Sequence, residues 1–399
     1  MQYLDTQLYQ QIQKEQGIRR AIEEKGERGI EPNLLNISNA LDTYYVLNKL
    51  KVYCFYLSYR QIVQEISIPY KDSDFQLMSP ICEWLDRQHD LHPVTDLYNQ
   101  IRHLYENLNK APAADDHTFQ ELLQLAKKHY PLQSVAENLE VLSLLSNYAI
   151  LQLNRKDLRY DYHFLAVNND MLRLQYGPGQ KKRTKLPASV FKNMIVVALR
   201  LENPAYFYHM GQIDGVGEIR NAHDWVACFL EQYKFRLKKK DRKTYYPYCK
   251  AMLEFKQGSY TKAYRTLQHP SGTREMFINL NIKVLYLQIL YEVFVIKPSI
   301  LETDEVEIEK VAESMRGMIR YESHKRKQVS YQLQYFKEFA KLFRKLYQLR
   351  LLYHDSRWLD ERTAQQKYRA LKKLVEMLDH GYQGWFLEKL GEMKEPASR

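Results

Sequence analysis

In the stretch FQELLQLAKKHY, the apolar residues Phe119, Leu122, Leu123, Leu125 and Ala126 recur at spacings of three and four, so a helix would gather them on one face. Sustained two-residue alternation is hard to find elsewhere, and the chain reads as all-α. The same periodicity predicts helices over 1–24, 34–60, 79–88, 93–109, 117–129, 132–154, 158–175, 187–202, 222–236, 244–257, 260–268, 275–297, 304–320, 326–352, 359–380 and 382–393. Pro112 and the capping residues Asp115, Asp116 and Thr118 mark a boundary before Phe119, which makes 110–117 the expected linker between an N-terminal helical region, 1–110, and the remainder, 111–399. Interruptions fall at 67–76, 175–187 and 203–222, the last carrying three of the fourteen glycines.

Within LEFKQGSYTKAYRTLQHP, residues 253–270, a helix, a glycine turn and a second helix follow one another. Gly258, Tyr260, Ala263 and Leu267, with Ala251 seven before the glycine, resemble the turn and second helix of the tetratricopeptide-repeat family. Thirty-five residues earlier, Trp225 and Cys228 repeat the aromatic and small positions of Tyr260 and Ala263. Ala198 is the counterpart of Ala251, but 53 residues separate them; the surplus of 18 over a 35-residue period is close to the 20 residues of the segment 203–222, which is read as a loop inserted within one repeat. In the first helix the stripe Tyr248, Ala251, Met252, Phe255 is displaced by about one position from the family pattern, with Lys250 and Glu254 where core residues are expected.

What this resemblance implies is an α-solenoid, a stack of antiparallel helical hairpins in which small residues admit close helix approach and larger ones fill the gap to the next hairpin. The helix YQLQYFKEFAKLFRKLYQLRLLYH, about seven turns long, carries Tyr335, Phe336, Phe339, Leu342, Phe343, Leu346, Tyr347 and Leu349 on one face. Its cations Lys337, Lys341, Arg344, Lys345 and Arg350 lie toward the other faces. A C-terminal capping helix is expected here, covering the last apolar face of the stack.

Composition agrees with long helices: among 399 residues there are only 14 Gly and 13 Pro. The net charge of +11 is one-sided, because residues 1–199 carry 23 Lys+Arg and 23 Asp+Glu whereas the rest carry 36 and 25. Three basic clusters stand out along the chain, the last two within the basic half: Lys181, Lys182, Arg183 and Lys185; Lys238, Lys239, Lys240, Arg242 and Lys243; and His324 with Lys325, Arg326 and Lys327. The first two precede the first helices of successive hairpins, so stacking would put them on one edge. Such an edge suits an acidic protein partner or, alternatively, the phosphates of a nucleic acid, although solvated lysine-rich loops are its commoner explanation. The first helices hold no repeated pair of base-reading residues.

Tyr245, Tyr248, Met252 and Phe255 form the candidate protein-interaction surface, since aromatic helix faces offer contact area at low entropic cost. Packing between hairpins is the competing role for Tyr248 and Phe255. Chemistry has little to work with. His89 and His92 would share a metal only on a helix, which Pro93 opposes, and Asp72 and Asp74 lack the glycine and distal glutamate of a calcium loop. No phosphate-binding loop, HExxH or GxSxG occurs. Cys54, Cys82, Cys228 and Cys249 match neither a zinc nor a disulfide spacing, no run of 18 apolar residues occurs, and the first residues lack a secretory pattern, so a cytoplasmic location off the membrane is expected. The expectation is therefore a non-enzymatic helical-repeat module or scaffold that binds a protein or peptide, with no catalytic, cofactor or metal site. The alternatives are an RNA-binding repeat and, least supported, an enzyme.

Overall fold

The computed structural model describes residues 31–62, 75–88, 91–109, 116–176, 185–201, 207, 221–267, 275–296, 301–325, 331–354, 361–378 and 381–393. Among these residues there are fifteen α-helices and no strand. The helix expected over 1–24 lies outside them, as does nearly all of the segment 203–222. The chain divides into two compact units, residues 1–228 and 229–399.

In the first unit the helices are α1 (Glu31–Ile62), α2 (Met78–Arg87), α3 (Pro93–Glu106), α4 (Asp116–Lys128), α5 (Val135–Asn154), α6 (Tyr160–Tyr176) and α7 (Ala188–Ala198). The helix α8 (Ala222–Tyr233) spans the division. The long α1 packs on α2, α3 and α5, and α5 packs on α3, α4 and α6. Tyrosine builds this core: Tyr105, Tyr148 and Tyr160 are fully buried with Phe119, and neighbouring ring centroids lie 5.4–5.9 Å apart. The Tyr105 hydroxyl donates to the Leu144 carbonyl at 2.6 Å, satisfying a polar tip that would otherwise be costly to bury. Much of the unusual tyrosine content is thus structural.

Helix α5 begins at a capping box. Ser134 Oγ accepts from the Glu137 N–H at 3.2 Å, and the Ser134 N–H donates to Glu137 Oε2 at 3.0 Å. The other oxygen of this buried carboxylate takes Lys51 Nζ of α1 at 3.1 Å, so one side chain both starts α5 and joins it to α1.

The second unit continues with α9 (Lys239–Lys256), α10 (Tyr260–Leu267), α11 (Met276–Ile296), α12 (Leu301–Lys325), α13 (Tyr331–His354), α14 (Glu361–Glu376) and α15 (Gln383–Glu392). Each packs on the next, and α11 also packs on α9 and α13. Ala251 and Ala263 are fully buried, allowing α9 and α10 to approach closely. Gly258 closes α9 with φ of 71°; its N–H donates to the Phe255 carbonyl and that of Ser259 to the Glu254 carbonyl, the paired bonds of a Schellman turn. Glu254, unexpected at its position, accepts from Thr266 Oγ1 of α10 at 2.6 Å, and Lys250 lies 4.0 Å from its other oxygen. Farther on, the stacked rings of Tyr264 and Tyr286 both donate hydroxyls to Glu307, tying α10 and α11 to α12.

Two expectations are corrected here. Helix α9 starts at Lys239, five residues before the predicted 244, because buried Leu237 anchors the approach and Thr244 and Tyr245 are buried within a continuous helix. It runs through Pro247, which lacks an N–H to donate. The apolar face of α13 does not end the unit: Phe339 is covered by Tyr382, Trp385 and Phe386 of the last turn and α15. Helix α15 is held by buried Lys389, whose Nζ lies 2.9 Å from Glu292 of α11, 2.9 Å from Glu388 and 2.7 Å from Glu392. Burial works against this ammonium, yet its carboxylates hold it above the usual lysine pKa. Trp385 Nε1 donates to Glu292 at 3.1 Å.

Candidate basic and aromatic recognition site

The most distinctive surface chemistry of the second unit lies where α8 passes into α9. A 3₁₀ turn over Lys234–Arg236 joins them, Leu237 is buried beneath it, and Lys238 precedes the helix in extended conformation with no side-chain cap. The turn leaves the Phe235 ring 65% exposed. Two cations flank this ring: Lys234 Nζ lies 5.2 Å from its centroid and the Arg242 guanidinium 5.1 Å. Each such contact contributes about 0.5–1 kcal/mol at an exposed site.

One anion, Glu231, holds the arrangement in place. Lys234 pairs with Glu231, and the Tyr246 hydroxyl donates to the same carboxylate at 2.7 Å. The Lys234 ammonium is also 5.6 Å from the Tyr246 ring. Hydrogen bonds from Lys234 and then Tyr246 hold the Glu231 carboxyl below its usual pKa. Burial, followed by the Glu231 bond, pushes the Tyr246 phenol up to about 12.

Beside the ring, Lys238, Lys239, Lys240 and Lys243 are exposed and Arg242 is half-buried. Lys238, Lys239 and Lys240 make no ion pair among the described residues. Placing lysines in the first turn of α9 opposes the helix dipole, which favours anions there; Asp241 is the acidic residue of that turn. The result is a planar apolar ring set among cations on a surface that is deficient in negative charge. It can attract an acidic ligand over distance and hold an apolar or planar group by contact.

The other expected residues are placed differently. Tyr245 and Tyr248 retain only 6% and 5% exposure, and the Tyr245 hydroxyl donates to Glu275, so neither offers a contact surface. Met252 and Phe255 are half-buried, with the Phe255 ring 5.3 Å from that of Tyr260. Lys185 is exposed in the first unit. Lys181, Lys182, Arg183, Arg326 and Lys327, together with the side chain of Lys325, lie outside the described residues. Phe235 and Lys234 are the residues that sequence reasoning passes over, and the available signal is the aromatic set among cations in KFRLKKK.

His92 is exposed at the start of α3, while His89, Asp72 and Asp74 lie outside the described residues. No group of three or more His, Cys, Asp or Glu side chains among the described residues is placed to share a metal ion. The four cysteines are free thiols; burial raises Cys82 to about 11 and Cys54 further. No helix among the described residues is long and apolar enough to cross a membrane. No family model, curated protein or solved structure matches the chain.

Proposed function

We propose that the protein is a non-enzymatic interaction module of tetratricopeptide-like architecture, and that it takes an acidic segment of a partner protein at the start of α9. The carrying observation is the exposed Phe235 ring between Lys234 and Arg242, next to Lys238, Lys239 and Lys240, which make no ion pair among the described residues. Electrostatic attraction would bring the acidic segment in, and an apolar side chain beside its carboxylates would settle on the ring.

Support for the stacked-hairpin reading comes from packing order. The helices α9, α11 and α13 pack on one another in sequence, while α10 and α12 connect them, which is the neighbour pattern of hairpins laid side by side. The buried pair Ala251 and Ala263 supports it further. The module would work in the cytoplasm, where its free thiols stay reduced.

An exposed ring among cations also suits a stacked nucleobase, which makes single-stranded RNA the second reading. A labelled peptide rich in Asp and Glu with one aromatic residue, and an RNA of equal charge, should each be titrated with the full chain by fluorescence anisotropy. The peptide should bind, and Phe235→Ala should weaken it by about fivefold, a loss of about 1 kcal/mol. Tighter binding of the RNA would transfer the site to the second reading, and no binding of either would end both.

A further inference from the structure

Helix α1 presents two unlike faces. Leu47, Leu50, Lys51, Cys54, Leu57 and Ser58 are buried toward the first unit. On another face Leu41, Tyr45, Val52 and Tyr59 are about half exposed, and Asn48 and Phe55 fall between them, half-buried. The spacing of Leu41, Tyr45, Asn48, Val52, Phe55 and Tyr59 is four, three, four, three, four. That is the seam of a two-stranded coiled coil running for more than two heptads, on a helix that already packs its other side.

We propose that this seam pairs with the same seam of a second copy, in antiparallel orientation, making the protein a homodimer. The pattern is complementary to its own reverse. A two-fold axis at Leu50 sets Leu41 against Tyr59 of the second copy, Tyr45 against its Phe55, and Asn48 against its Val52, with no seam position left over. Charge follows the same symmetry: exposed Asp42 and Arg60 lie on one flank of the seam, and the reversal brings each beside the other's counterpart. A parallel pairing would instead place the Asp42 and Arg60 flanks of the two copies on opposite sides of the seam, where they could not meet. Lys49 is the like-charge contact near the axis, and its ammonium is drawn to the Tyr45 ring of its own chain, 5.6 Å from the centroid. The pairing is independent of the site at α9.

Sedimentation equilibrium of the full chain, with cysteine cross-linking, tests this. The wild type should be a dimer at micromolar concentration, and Tyr45→Glu with Val52→Glu should be a monomer of unchanged helicity, since both residues are exposed. A mixture of Leu41→Cys and Tyr59→Cys chains should cross-link between the two species. Either alone should not, because 18 residues separate the positions by about 27 Å along the helix. A monomer at about 0.1 mM would overturn the proposal, because a specific dimer forms well below that concentration. So would a dimer that survives the double Glu variant, efficient self-linking of Tyr59→Cys, or a wild-type monomer that dimerises only when residues 1–30 are removed, which would make those residues the seam's occupant.

Discussion

Glu137 shows how much one side chain can carry. It caps α5 through Ser134 and neutralises Lys51 across the α1 interface, all while buried. Burial by itself would raise its pKa, but the Ser134 N–H and the Lys51 ammonium outweigh it and leave the carboxyl below its usual 4.5. A depressed folded value means the ionised group stabilises the fold at pH above about 4.5, and that this contribution is lost as pH falls through the folded pKa. Glu137→Gln should therefore lower stability at pH 7 by about 3 kcal/mol, since it strands a buried ammonium. In urea unfolding followed by circular dichroism, the gap between variant and wild type should narrow as pH drops below 4.5. A gap that is constant from pH 7 to pH 3 would remove Glu137 from this role. At this scale the sequence is least explicit: Ser134 followed by Glu137 is a visible capping signature, but its distant partner Lys51 is set by tertiary packing alone.

At the scale of elements, the α9 and α10 hairpin depends on its turn. Gly258 occupies left-handed space, where a β-carbon is strained whatever room surrounds it, and here a β-carbon would meet nothing within 4 Å. Gly258→Ala should consequently cost about 1 kcal/mol through backbone strain alone, read as a lowered urea midpoint with unchanged helix content. A neutral result would mean that the turn relaxes into another conformation. Helix positions were legible where a 3.6-residue period is strong, as in α2, α3, α4, α10 and α14, and elsewhere from the length of the apolar run, as in α11. The start of α9 was not, because Lys239 to Lys243 and Pro247 each signal a break locally, and the buried anchors at Leu237 and Tyr245 override them. Nor did the stripe on α13 disclose what covers it: an apolar face needs a cover, yet its composition does not distinguish a terminal cap from an inner layer.

At the scale of the molecule, a basic excess confined to residues 200–399 gathers in part around one exposed ring at the start of α9. The cluster 238–243 was legible as charge, and Tyr245 and Tyr248 as aromatic contact, but the structure separates these roles. The tyrosines are drawn into the core by neighbours that the local sequence does not name, while Phe235 is left outside by a turn only three residues long. The central claim is that this surface binds acidic protein segments, and the most direct measurement is the salt dependence of affinity for the acidic peptide, with the wild type and with a Lys238→Glu, Lys239→Glu, Lys240→Glu variant. The account predicts wild-type binding that weakens steadily as salt rises and a variant that does not bind at low salt. Equal affinity for both proteins, unchanged by salt, would contradict it.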